Sequence, residues 1–188
     1  MENLERVKSK QVLWAELEEV IEDIAKSFRE TFEILVPIEN MEEVVWNIGA
    51  TVKKKDSGIA LNGNIVIDGD SIVFEIRNDL SRNKENYILA ILLGHLFIHL
   101  GSKMGTDQWD QITPDMISEI LYNAAKVRQA ILFAYALLMP EDQIFELMVT
   151  GQAQTVSDLA KYFHTANAMV RLRLQRIQLK DLILGAER

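Results

Sequence analysis

Asn86-Tyr87-Ile88-Leu89-Ala90-Ile91-Leu92-Leu93-Gly94-His95-Leu96-Phe97-Ile98-His99 is the stretch that decides the fold. Its residues are apolar nearly all round, and a helix of that kind belongs at the centre of a domain. The expected helix runs from residue 81 to about 100, with Ser81 as its cap, because a serine hydroxyl can take up an unpaired first-turn amide. His95 and His99 interrupt the apolar surface four residues apart, on one helical face. Such a pair can bind a metal, but two ligands do not make a zinc site, which wants three protein ligands and an open position for water. On their own, the two residues read as a core histidine bonded to backbone and a second histidine near the helix end.

On the N-terminal side, Leu13, Leu17, Val20, Ile21, Ile24 and Phe28 recur at three- and four-residue steps and mark a long amphipathic first helix. Pro37 closes that region, and Asn40 can cap a short helix over residues 41–47 that ends before Gly49. Short β-branched runs follow at residues 50–53, 59–61, 65–67 and 72–76. They are separated by Asp56-Ser57-Gly58, Asn62-Gly63 and Asp68-Gly69-Asp70, pairs that supply the positive-φ positions of tight turns. A small antiparallel sheet of three or four strands is expected. Beyond the central helix, a polar loop over residues 101–113 should lead into one helix from Pro114 to Leu138. Pro140 should then restart the chain into a short helix through Met148, and the tail reads as two helices joined by His164-Thr165-Ala166.

The chain has 188 residues, enough for one domain with a small appendage and a real core. Its net charge of −8 argues against a protein that grips nucleic acid over its whole surface. With no cysteine, disulfides, thiolate-bound zinc, iron–sulfur clusters and thiol catalysis are excluded. The opening Met1-Glu2-Asn3-Leu4-Glu5-Arg6 lacks the basic-then-apolar pattern of a secretory signal. The apolar runs at residues 87–100 and 130–139 fall short of the ~20 residues a membrane helix needs. A cytosolic protein without a membrane partner is expected.

Asn78-Asp79-Leu80-Ser81-Arg82, then Tyr87-Ile88-Leu89-Ala90 and Leu93-Gly94-His95-Leu96-Phe97-Ile98-His99, resemble the signature of the ImmA/IrrE family of zinc endopeptidases. Downstream, Ala130 and Phe133-Ala134-Tyr135-Ala136-Leu137-Leu138-Met139-Pro140 resemble that family's second signature. The tail from Val156 to Arg173 is similar to its closing helical unit. The resemblance implies an α+β, zincin-like domain over residues 1–150, a small antiparallel sheet packed on a helical bundle, and a helix-turn-helix-like extension over 151–188.

It also implies a site, and there this sequence departs from the family. The first zinc histidine falls on Ile91, the general-base glutamate on Leu92 and the third ligand on Val127, so His95 is the sole surviving ligand position. His99 matches a histidine common just past the motif, and Ile131 and Leu132 stand at positions usually polar. Zinc catalysis needs a metal that lowers its water's pKa and a carboxylate that takes the proton, and aliphatic side chains supply neither. A filled, dry patch around a neutral His95 is expected, without zinc or any other cofactor. A displaced site, in which His95 and His99 meet Glu119, Asp107, Asp110 or Asp115, is the alternative that would leave an active endopeptidase.

Lys161, Arg171, Arg173, Arg176 and Lys180 make the tail basic, whereas Leu159, Phe163, Val170, Leu174 and Ile177 supply an apolar face. Helix, turn and helix could read DNA through Arg171, Arg173 and Arg176. The favoured alternative packs the pair on the body with its arginines in solvent. Members of the family often act on a helix-turn-helix repressor of a phage or mobile element. The resemblance therefore implies a protein partner of that kind, bound without cleavage.

Overall fold

The computed structural model describes residues 2–56, 63–69, 71–101 and 112–179, and side chains from residue 14 onward. Eight α-helices and three strands are described, in the order α1 (Glu2–Thr31), α2 (Met41–Asn47), β1 (Thr51–Lys55), β2 (Gly63–Asp68), β3 (Ser71–Arg77), α3 (Arg82–Gly94), α4 (Pro114–Tyr122), α5 (Ala124–Leu138), α6 (Glu141–Val149), α7 (Val156–Tyr162) and α8 (Asn167–Arg176). The architecture is α+β, a small sheet against a helical body.

At the centre α3 crosses α5. Leu89, Ala90 and Leu93 of α3 and Phe133, Ala134, Ala136 and Leu137 of α5 are fully buried, as the apolar wrap of both sequences requires. The crossing is close because Gly94 has no side chain. A Cβ there would come within 2.8 Å of the Ala130 carbonyl oxygen and 2.9 Å of its Cα. Helix α1 closes one side of α5 through Ile21, Ala25 and Phe28, spaced to share a face. Phe28 meets Phe97 and Phe133 edge-on, with ring centroids 4.6 and 5.8 Å apart.

Several local signals act as their residue types predict. Asn40 caps α2 by accepting from the Glu42 amide, and Gly49, at φ +82°, ends that turn. Thr113 caps α4 with Pro114 in its first turn, and Thr155 and Asp158 cap α7 reciprocally.

Other expectations are corrected. The sheet is mixed, not antiparallel: its order is β1-β3-β2, with β2 antiparallel and β1 parallel to β3. The apolar β3 takes the middle, and β1, with Lys53, Lys54 and Lys55 exposed, takes an edge. A turn signal between successive strands says that the chain reverses, not that those strands pair. The strand expected at 59–61 and most of the 101–113 loop lie outside the described residues. Ser81 precedes α3 in extended conformation, yet its side chain makes no capping bond. The helix expected from Pro114 to Leu138 is two, because Asn123 leaves helical geometry (φ −80°, ψ 113°), closes α4 and caps α5 by accepting from the Ala125 and Lys126 amides.

Past Gly94 the central helix widens into a π-helical turn, His95–His99. Such turns are uncommon and recur at functional sites.

Candidate functional site

The π-turn begins at His95, beside the Gly94–Ala130 contact. His95 is 1% exposed, and its Nδ1 has no hydrogen-bond partner among the described residues. Burial first, then the nearby His99 and Lys126, push its pKa down to about 3, so the ring is neutral under ordinary conditions. The expected bond from a core histidine to backbone is not made at that nitrogen. The His99 ring lies 5.2 Å away, and its Nε2–H donates to Gln129 Oε1 at 2.9 Å. Burial lowers the His99 pKa as well, partly offset by that bond.

Ile91, Leu92, His95 and Val127, from two different helices, line one cleft of about 370 Å³. The space at His95 is therefore apolar as expected but not filled. The cleft has further walls that the sequence reasoning did not single out. Ile88 sits one turn before Ile91 and Leu92, so helical spacing alone could have found it. Gly63 had read as a turn residue, but it opens β2, where a Cβ would come within 2.7 Å of Ile88 Cγ2. Its bare backbone lets the sheet approach α3. The Asn123 break places Leu121 and Tyr122 at the end of α4 and Ala124 at the start of α5, all beside the cleft.

The donor set does not fit zinc. One neutral imidazole faces isoleucine, leucine and valine, none of which can ligate. No three His, Asp or Glu side chains converge to hold a metal among the described residues. Glu119 is not on the helix of Val127, since Asn123 separates them. Its carboxylate pairs with Lys126 and accepts from Asn123 Nδ2 at 3.3 Å. Asp107 and Asp110 lie outside the described residues, and Asp115 is on the first turn of α4.

The tail arginines are not a free row. Arg173, 2% exposed, donates from Nε to the Met139 carbonyl at 3.0 Å and forms a two-point pair with Glu22 of α1. Arg176 donates to Glu18 at 2.7 Å. Two of the three arginines named for DNA reading therefore bind the body, and Arg171 is the exposed one. The expectation that the tail's arginines face solvent is corrected for Arg173, which is buried, and for Arg176, which is half-buried, whereas Arg171 is exposed as expected. Lys180 lies outside the described residues.

Two buried polar groups in α3 also escaped sequence reasoning. Asn86 accepts from the Met41 amide at 3.0 Å and donates to the Glu39 carbonyl at 3.0 Å, fastening α3 to the start of α2. Glu85, with Glu42, binds Lys54 Nζ at 2.5 and 2.7 Å, joining α3, α2 and β1. Burial, then its bond with Glu42, holds the Glu85 carboxyl above the usual range. Glu42, bonded to Glu85 and Lys54, is held below it.

No protein-family model matches this chain, and no curated protein sequence is significantly similar to it. A solved structure of a Mycobacterium tuberculosis transcriptional regulator is similar, with a TM-score of 0.58 and 14% identity over 90% of this chain and 53% of that one. The chain thus spans about half the length of that regulator, and at this identity the likeness concerns the fold. No helix among the described residues is long and apolar enough to cross a membrane.

Proposed function

We propose that the chain is a zincin-like, ImmA/IrrE-type domain that has lost its zinc and its catalysis and acts by binding a regulatory protein. What supports this is a convergence. The four positions that the resemblance assigns to zinc chemistry line one cleft: Ile91, Leu92 and His95 are neighbours along one stretch of helix, and Val127 joins them from α5. Val127 is the informative member, since it comes from a separate phrase of the sequence and need not have fallen at the same cleft. The aliphatic residues leave His95 without a metal partner, and Leu92 cannot take a proton from water.

The binding role follows from what persists once the metal is lost. Among the described residues β2, whose Gly63 lines the cleft, is an edge strand of the sheet, and edge strands can add extended peptide segments through backbone hydrogen bonds. A helix-turn-helix repressor of a phage or mobile element is the partner class the resemblance suggests, and the similar structure is itself a transcriptional regulator. The body over 1–150 would carry this groove, and the extension over 151–188 would brace α1 through Arg173 and Arg176. Direct DNA reading by the extension is disfavoured by the pairing of those two arginines with Glu22 and Glu18.

Restoring Ile91→His, Leu92→Glu and Val127→Glu together tests the assignment. The triple variant should take up zinc that the parent does not hold. Zinc in the parent, or none in a folded triple variant, would overturn it.

A further inference from the structure

The cleft at His95 has properties that do not depend on its ancestry. Its volume, about 370 Å³, lies within the range of small-molecule sites. Apolar cavities less than half that size hold benzene. Its walls stand on rigid elements, Ile88 on α3 and Leu121 on α4, with Gly63 admitting the sheet edge. Tyr122, 64% exposed, and the exposed Ala124 stand beside it where α4 gives way to α5.

Its chemistry is specific in one respect. Among the described residues no Asp, Glu, Lys or Arg lines the cleft, so an ion entering it would lose water without gaining a partner from those walls. Of the two side chains that bring polar groups to the described lining, the Tyr122 phenol is 64% exposed to water, and the His95 imidazole is 99% buried with Nδ1 unpartnered among the described residues. A neutral imidazole carries one donor nitrogen and one acceptor nitrogen. A hydroxyl is both donor and acceptor, so it satisfies whichever nitrogen it meets. A carboxylate or an ammonium offers one role and brings a charge.

We propose that this cleft is a binding site for a small, neutral, mostly aliphatic molecule whose single hydroxyl hydrogen-bonds His95. By comparison with benzene in a smaller cavity, roughly 9 to 15 non-hydrogen atoms would fit. The site goes beyond the regulatory reading. A molecule held between α3, α5 and β2 would stiffen the wall beside which a protein partner would lie.

Three probes of equal chain length test it on the full chain: 1-octanol, octanoate and octylammonium. Titration calorimetry and the His95 ring-nitrogen resonances are the readouts. Octanol should bind one-to-one and shift the His95 nitrogens, with the two ions at least tenfold weaker. His95→Leu should weaken octanol at least tenfold. Ala124→Trp, placed at an exposed position and verified as folded by its thermal transition, should block binding. No saturable octanol binding, equal affinity for all three probes, or octanol binding untouched by both variants would each overturn the proposal. Zinc uptake is not among these readouts, so the ligand site and the family assignment can fail separately.

Discussion

His95 and Arg173 are both basic residues under 3% exposed, and the protein accommodates them in opposite ways. Arg173 cannot shed its charge, so its burial requires a carboxylate and a carbonyl, which Glu22 and Met139 supply. His95 can shed its charge and does, leaving an imidazole beside open apolar space. The tail junction is thus closed by charge pairing and committed to structure. The cleft is walled mainly by aliphatic packing and keeps a buried imidazole nitrogen without a partner among the described residues. Of the two, the cleft is the place where a ligand gains something that the folded chain does not already have.

The largest expected effect breaks the closed side. Arg173→Met leaves Glu22 and the Met139 carbonyl without their partner, and removing one member of a buried pair costs about 3–5 kcal/mol. Urea unfolding should report a loss near the lower figure, because Glu22 is one-third exposed. A change under about 1 kcal/mol would mean the junction is not what secures the tail.

The open side should show itself in acid. The folded pKa of His95 lies below its unfolded value of 6.5, so the unfolded chain takes the proton first. Stability is full above about pH 6.5 and falls as the pH drops towards 3, by about 3 kcal/mol at pH 4. His95→Leu should flatten that slope, which unfolding curves at several pH values would reveal. An unchanged slope would show that His95 is not a buried neutral imidazole.

A smaller effect concerns the crossing that positions the cleft. Gly94→Ala drives a methyl group onto the Ala130 backbone, and overpacking of this sort costs about 1–3 kcal/mol. Smallest of all is Arg176→Ala. The pair with Glu18 is about one-third exposed on both sides, so the melting transition should move by no more than about 1 kcal/mol equivalent. Together with Arg173→Met it separates the buried anchor from its partly solvated neighbour.

The helices around the cleft could be read from the sequence because their signals are local. Asn40, Thr113, Pro114, Pro140 and Thr155 act within one turn, and the apolar wrap of residues 86–99 and 130–138 announces buried helices. What could not be read is non-local. Strand order depends on which strand is most apolar against the helices, not on the turns between them. Nothing around Arg173 distinguishes it from Arg171, since its partner lies 151 positions away. Asn123 is a residue type that caps helices, but it stands within a run whose apolar spacing continues on both sides, so nothing local announces the break. At the site, Ile91, Leu92 and His95 share one stretch of helix, whereas Val127 joins them only through the α3–α5 crossing, a long-range contact that no local signal reports. The room left between them depends on Gly63, Gly94 and the Asn123 break, which composition does not reveal.

Metal content tests the central claim most directly. Protein made in zinc-replete cells and purified without chelator should carry only trace zinc, and the Ile91→His, Leu92→Glu, Val127→Glu variant should carry one ion per chain. One zinc per chain in the parent protein would contradict the account of an aliphatic, metal-free cleft around His95.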